Sequence, residues 1–222
     1  MWLARKNRYR AAGPVHPYHR FRRGTANTEF VRAATTELLA REIGEQELPG
    51  SVAELGVYAG GYASLLGACF PDRLLHLFDT FEGFDTRDVE ADVAAGLPGD
   101  PYPLPPVTEG AVRSMVRRPD RLRIHAGWFP ESAAGLEDER FCFVHIDVGL
   151  HAATAAGLEW FHPRLVPGGY MMVADYNNAH APGVRVAVRE FVARTGAAYT
   201  VCPDFQGHAI IAKPRPAAAT ES

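Results

Sequence analysis

Short apolar runs alternate with segments of helical periodicity over most of the chain. Apolar residues that recur every three or four positions predict helices beginning at Asn27 and covering 63–70, 108–116, 154–161 and 184–193. Apolar runs bounded by turn residues predict seven strands, at 51–55, 74–78, 122–125, 141–146, 169–174, 197–202 and 207–212. The alternation predicts βαβ units, and therefore an α/β fold doubly wound around one mostly parallel sheet.

The last two predicted strands are close together in the sequence. Only residues 203–206 separate them, whereas a helical crossover between parallel strands needs about a dozen residues or more. The seventh strand is therefore predicted to run antiparallel beside the sixth.

Three segments fall outside the alternation. Residues 1–26 mix Arg, His, Tyr and Pro without a period and are interpreted as an N-terminal arm, either a terminus along the surface or a lid over a ligand. Residues 85–106 carry seven Gly and Pro residues, which argues against a helix and predicts a long substrate-facing loop, with a mobile excursion as the alternative. Residues 214–222 predict a disordered tail, which leaves one domain over 27–213.

Composition excludes several classes of partner. The 23 basic and 26 acidic side chains give a net charge of -3, so no overall positive field attracts nucleic acid or a membrane surface, and we expect a small-molecule partner. No run approaches the roughly 18 apolar residues of a membrane span. The spacing of Cys69, Cys142 and Cys202 suits neither a disulfide framework nor a zinc knuckle. We predict a cytoplasmic protein with reduced thiols. A homo-oligomer is possible, and the sequence does not decide the oligomeric state.

Two glycines follow the first predicted strand. Gly56 and Gly60 stand where the backbone can approach a ligand at the carboxyl edge of an α/β sheet. Their G-x-x-x-G spacing differs from the dinucleotide fingerprint, and a tight turn alone would also explain it. Asp79 ends the second predicted strand, where a carboxylate accepts hydrogen bonds from ribose hydroxyls; a helix N-cap or turn role is the alternative. Together these residues predict a site for a nucleoside-type cofactor.

Four strings of residues resemble one known family. They are A-E-L-G-V-Y-A-G at 53–60, L-F-D-T-F-E-G-F at 77–84, G-W-F-P-E at 127–131 and L-V-P-G-G-Y at 165–170. With them the chain, from about residue 27 to 213, resembles the macrocin O-methyltransferase family, which contains sugar O-methyltransferases of macrolide and aminocoumarin biosynthesis. The resemblance implies a Rossmann-like class I methyltransferase fold with strand order 3-2-1-4-5-7-6, and S-adenosylmethionine as the cofactor.

The resemblance also implies where each part of the cofactor binds. The methionine part is expected at Glu54, Gly56 and Tyr58, the ribose at Asp79, and the adenine beside the turn of Gly127 and Trp128. Gly60 and Thr80 are also expected to bind the cofactor.

A magnesium ion is implied as well, but two expected carboxylates are missing. The family has an Asp-x-Asp pair after strand four and an Asp-Asp-Tyr string after strand five. Asp147 and Asp175 match the metal ligands, whereas Gly149 and Ala174 stand where the other acids are expected. Magnesium prefers octahedral oxygen coordination, so we expect its binding to be weaker than the family implies.

A histidine can replace a missing carboxylate as the base, because imidazole titrates near neutral pH. His151 follows the fourth predicted strand, where it can reach a substrate hydroxyl. We predict His151 and Asp147 as the catalytic residues, with His180 as the second choice of base. Alternation also places His145 on the same strand face as Asp147.

Two functions follow from these patterns. The first is an S-adenosylmethionine-dependent O-methyltransferase that acts on a hydroxyl of a small natural product, of sugar or polyketide-glycoside type. The second is a diverged protein of the same fold that binds the cofactor or its product but catalyses non-methylating chemistry such as a cyclisation, or acts as a non-catalytic partner. The cofactor strings favour the first function, and the missing carboxylates favour the second.

Overall fold

Seven strands and six α-helices occur within the residues that the computed structural model describes, which are 30–97, 104–204 and 206–215. In chain order the elements are α1 (Phe30–Glu45), β1 (Ser51–Leu55), α2 (Gly61–Cys69), β2 (Leu75–Asp79), α3 (Thr86–Ala94), α4 (Glu109–Met115), β3 (Leu122–Ala126), β4 (Phe141–Ile146), α5 (His151–Arg164), β5 (Leu165–Val173), α6 (Pro182–Thr195), β6 (Tyr199–Cys202) and β7 (His208–Ala212). The predicted start of α1 at Asn27, the arm 1–26 and the tail from 216 lie outside these residues.

The strands form one sheet in the order β3-β2-β1-β4-β5-β7-β6. The first five strands pair in parallel, and β7 runs antiparallel to both β5 and β6. The sequence predictions of strand order and of the terminal hairpin are confirmed.

Helices cover both faces of the sheet, so its central strands are buried along their whole length. Every residue of β1 and β4 is buried, as expected for parallel strands with helices on each side. Because successive side chains point to opposite faces, Val52 packs into the core with Phe143 on one side, and Ala53 packs with Val144 on the other.

The segment 85–106 begins with a helix, so its prediction as a loop throughout is wrong. The side chain of Asp85 accepts a hydrogen bond from the Arg87 N–H (3.0 Å) and thereby caps α3 at its N-terminus. All the Gly and Pro residues of the segment follow Ala94, so nothing in 86–94 opposes a helix. Residues 98–103 lie outside the described part of the chain.

Asp92 on α3 holds the start of α5. Its carboxylate accepts hydrogen bonds from the backbone N–H groups of His151 (2.7 Å) and Ala152 (2.9 Å), and the residue is 2% exposed. The first N–H groups of a helix have no partner within it, so an acidic side chain here acts as an N-cap supplied from another helix. The contact fixes α3 beside the carboxyl end of β4.

We expect Asp92→Ala to lower the free energy of unfolding by about 1 to 3 kcal/mol, because it leaves two half-buried backbone N–H donors without their acceptor. Urea unfolding followed by circular dichroism measures this. Glu90→Ala is the matched control, since Glu90 is an exposed acid on the same helix, and it should change stability little. Equal stability of Asp92→Ala and Glu90→Ala would contradict the capping role.

No helix in the described part of the chain is long and apolar enough to span a membrane.

Candidate active site

One cavity opens at the carboxyl edge of the sheet, where β1, β2 and β4 end side by side. Its volume is about 720 Å³ when the open solvent at its mouth is included. Polar and glycine residues line it at the strand ends, namely Gly56, Asp79, Thr80, Gly127 and Asp147. Ligands in open α/β sheets bind at this edge, which makes the cavity the candidate active site.

Gly56 lies where the ends of three strands are tied together. Its N–H donates to the Phe78 carbonyl (2.9 Å), and the Asp147 N–H donates to the Leu55 carbonyl (2.8 Å). Gly56 has φ +87, and a Cβ atom there would lie 2.0 Å from the Asp147 carbonyl oxygen. A side chain therefore cannot be accommodated, and glycine is required by both conformation and space.

Asp79 holds the loop after β1, residues 56–60, in place. Its Oδ2 accepts hydrogen bonds from the N–H groups of Val57 (2.6 Å) and Tyr58 (2.8 Å), and its Oδ1 accepts one from Phe81 (2.7 Å). Tyr58 and Phe81 have positive φ angles of 48° and 59°, so the carboxylate supports two strained residues. A carboxylate has about four lone-pair positions, which leaves Asp79 one position for a ribose hydroxyl rather than the two expected from the sequence.

Thr80, Gly127 and Trp128 also line the cavity. Thr80 Oγ1 donates to the Gly83 carbonyl (2.5 Å), and the Gly127 N–H donates to the Asp79 carbonyl (2.9 Å). The first bond closes the turn after β2, and the second joins the turn after β3 to the end of β2.

The Trp128 indole is fixed by residues of α3. Its Nε1–H donates to Asp88 Oδ2 (3.0 Å), and the Arg87 guanidinium carbon lies 4.0 Å from the ring centroid. Burial raises the pKa of Asp88, although the indole hydrogen bond acts in the opposite direction. The helix that sequence patterns did not predict therefore positions an aromatic wall of the site.

Glu54 and Gly60 are not among the cavity-lining residues. Glu54 is 1% exposed, and its Oε1 lies 3.4 Å from Nδ1 of His145, which stacks on Tyr62. Burial raises the pKa of Glu54 and lowers the pKa of His145, so both groups tend to be neutral. Gly60 faces α4, since a Cβ there would lie 3.2 Å from Val112. The structure therefore places neither residue on the wall of the cavity.

Asp147 lines the cavity and is paired with Arg32 of α1. Arg32 Nη1 lies 3.0 Å from Asp147 Oδ2, and Arg32 Nε lies 3.8 Å from Asp204 Oδ2. Asp204 in turn lies 2.5 Å from His208 Nδ1. Burial opposes the charge of Arg32, but the negative charges around it, Asp147 foremost, raise its pKa. Three elements thus meet beside the cavity in a network of ionisable groups.

Asp175 lies behind Asp147 and does not line the cavity. It has φ +59, and burial together with the charge of Asp147 raises its pKa to about 7. Ala174 beside it is 4% exposed and apolar. A Cβ on Gly149 would meet only the Phe84 ring, at 3.5 Å.

The structure separates His151 from the cavity. His151 is the first residue of α5, and its Nε2 lies 2.8 Å from Glu190 Oε2 on α6. Leu150 and Ala153 line the cavity, whereas His151 does not. His180 is exposed in the turn before α6, where its N–H donates to the Asn178 side chain (3.0 Å). Neither histidine lines the cavity.

Sequence reasoning did not find two groups of site residues. Phe81 and Phe84 line the cavity, and their place inside the F-D-T-F-E-G-F string was the signal for them. No sequence pattern singles out Arg32 or Asp204, because these residues become recognisable only through their spatial proximity to Asp147.

The strand order, the antiparallel β7 and a cavity at the ends of β1 and β2 together define a class I methyltransferase fold. Residues 19–201 match the family described as Macrocin-O-methyltransferase (TylF). The chain belongs to this family, as its sequence strings indicate.

Individual relatives agree with this assignment. Mycinamicin III 3''-O-methyltransferase of Micromonospora griseorubida is 28% identical over 162 residues, which are 67% of this chain and 63% of that protein. The chain thus spans less than two thirds of that relative's length.

Two solved structures show the same fold. The O-methyltransferase NovP superposes with a TM-score of 0.71 and 24% identity, over 84% of this chain and 81% of the other. An O-methyltransferase from Bacillus cereus in complex with SAH superposes with a TM-score of 0.58 and 14% identity, over 96% of this chain and 98% of the other.

Proposed function

We propose that this chain is an S-adenosylmethionine-dependent O-methyltransferase that acts on a hydroxyl group of a small natural product, of sugar or polyketide-glycoside type. The observation that carries the proposal is the convergence of Gly56, Asp79, Gly127 and Trp128 on one cavity. Family membership and the relative that acts on mycinamicin III support the class of acceptor.

The cavity residues fit the chemistry of S-adenosylmethionine. Gly56 lets the ligand approach the backbone, Asp79 keeps one acceptor position for a ribose hydroxyl, and Trp128 offers an aromatic wall for adenine. The cofactor supplies a methyl group on a sulfonium centre. The SAH-bound neighbour from Bacillus cereus supports this choice of ligand.

We place the acceptor hydroxyl beside Asp147. This carboxylate lines the cavity, and Phe84 and Val148 line it nearby. A carboxylate at this position accepts the hydrogen bond of the acceptor O–H, which holds the oxygen for in-line attack and gives its proton a destination. Phe84 and Val148 provide apolar surfaces beside the reacting oxygen.

His151 does not line the cavity, and its Nε2 lies 2.8 Å from Glu190 Oε2, so this imidazole is not placed to take the acceptor proton. We therefore expect turnover of Asp147→Asn to fall by about a hundredfold or more, while His151→Ala stays near wild type. Steady-state rates at neutral pH measure both. If His151→Ala lost as much turnover as Asp147→Asn, the His151 imidazole would be the base instead.

Mass spectrometry tests the proposed function. The purified protein is incubated with S-adenosylmethionine and a panel of glycosides that carry free sugar or aglycone hydroxyls. We expect S-adenosylhomocysteine and a product heavier by one CH₂ unit to form in equal amounts, with Gly56→Ala as the inactive control. A bound cofactor that is never consumed with any acceptor would favour the diverged, non-methylating alternative.

The cysteines support a cytoplasmic location for this reaction. Cys69, Cys142 and Cys202 are free thiols. Burial raises the pKa of Cys69 to about 12 and that of Cys142 to about 11, which keeps both protonated and unreactive.

A further inference from the structure

The residues at the ends of β4 and β5 do not fit the magnesium ion that the family resemblance implies. Asp147 and Asp175 carry one carboxylate each, but Ala174 and Gly149 carry no donor atom in their side chains. Within the described ranges, no group of three or more His, Cys, Asp or Glu side chains could hold a metal ion. Magnesium demands near-octahedral oxygen donors, and this donor set does not supply them.

A protein cation already lies at this place. The Arg32 side chain is 15% exposed, and its Nη1 is 3.0 Å from Asp147 Oδ2. Its Nε is 3.8 Å from Oδ2 of Asp204, whose side chain is 4% exposed. A second cation bound to Asp147 would be repelled by the guanidinium at this distance.

Neighbouring groups from other elements hold the guanidinium. Its carbon lies 5.9 Å from the centroid of the Tyr62 ring on α2. The Tyr62 hydroxyl is 2.5 Å from Thr36 Oγ1, one turn further along α1 than Arg32. Thr36 is 0% exposed and Tyr62 is 8% exposed, so α1 is anchored where its arginine reaches the strand ends.

We propose that the Arg32 guanidinium takes the place of the magnesium ion, neutralising Asp147 and Asp204 and positioning Asp147 at the cavity without a metal. A guanidinium stays charged at any accessible pH and donates several hydrogen bonds in a fixed plane. It is part of the chain, so chelators do not remove it. The inference rests on the proposed function only for placing the acceptor beside Asp147.

Binding of Mn²⁺, a paramagnetic substitute for Mg²⁺, tests the replacement without any methyl transfer. Electron paramagnetic resonance of the free ion is recorded as protein is added. We expect wild type and Ala174→Asp to leave the signal of free Mn²⁺ nearly unchanged. The double variant Arg32→Ala with Ala174→Asp should bind at least about tenfold more tightly, because the competing cation is gone and a carboxylate is added.

Two controls separate charge from folding. Arg41 is exposed on the same helix, so Arg41→Ala with Ala174→Asp should bind no better than Ala174→Asp alone. Arg32→Lys with Ala174→Asp keeps a cation and should also show no gain. We expect tighter Mn²⁺ binding only in the variant that lacks a cation at position 32. An arginine with a purely structural role would not produce this pattern.

Stoichiometric Mn²⁺ binding by the wild type would overturn the inference. So would a folded Arg32→Ala, Ala174→Asp variant that binds no more tightly than Ala174→Asp. If the double variant does not fold, the wild-type and Ala174→Asp titrations decide alone. Failure of methyl transfer together with the expected Mn²⁺ results would refute the proposed function and leave the replacement of the metal standing.

Discussion

Replacing Gly56 by Ala is expected to abolish binding of S-adenosylmethionine and to lower the free energy of unfolding by about 3 to 5 kcal/mol. The added Cβ would lie 2.0 Å from the Asp147 carbonyl oxygen and 2.7 Å from its carbon. The Asp147 carbonyl group cannot move freely, because the N–H of the same residue donates a hydrogen bond to the Leu55 carbonyl (2.8 Å). The positive φ of Gly56 adds backbone strain for any other residue.

Urea unfolding and calorimetric titration with the cofactor measure the two effects of Gly56→Ala. Gly61→Ala is the matched control. A Cβ at Gly61 meets nothing within 4 Å, and the residue begins α2, where alanine is the better helix former. Gly61→Ala should therefore be as stable as wild type or more stable, with unchanged cofactor affinity. Wild-type stability and affinity in Gly56→Ala would show that the strand ends are not packed as described.

Asp79→Ala is expected to have the second largest effect, a loss of about 2 to 4 kcal/mol of stability together with a fall in cofactor affinity of about tenfold or more. Three backbone N–H groups lose their charged acceptor, and two of them belong to the positive-φ residues Tyr58 and Phe81. The ribose loses its acceptor as well. Unfolding curves and calorimetry report the two losses separately.

Asp79→Asn distinguishes support of the loop from contact with the ribose. The amide keeps one acceptor oxygen, so it should recover part of the stability while affinity stays low. Asp72→Ala, an exposed acid just before β2, should change neither quantity. Cofactor affinity at the wild-type level in a folded Asp79→Ala protein would remove Asp79 from the binding site.

The sheet and the cofactor edge could be predicted because their signals are local. β1 and β4 are mostly apolar and are buried along their whole length, and residues 203–206 are too few for a crossover. The carboxyl ends of parallel strands share an edge, so the sequence predicts that Gly56 and Asp79 lie near each other.

Other features depend on orientation that one sequence does not contain. The many Gly and Pro residues of 85–106 predict a loop, but all of them follow residue 95. The stretch before them therefore forms the helix α3. His151 follows strand four as expected, but the first turn of α5 directs its ring toward Glu190. Arg32 and Asp147 are 115 positions apart, and no local pattern pairs them.

We propose that the cavity at the ends of β1 and β2 is the site that binds S-adenosylmethionine. Isothermal titration of the wild-type protein with S-adenosylmethionine and with S-adenosylhomocysteine tests this proposal. We predict saturable binding of both ligands at one site per chain, with no dependence on added magnesium and with weaker binding in Asp79→Ala. Absence of saturable heat for both ligands in a protein that circular dichroism shows to be folded would contradict the account.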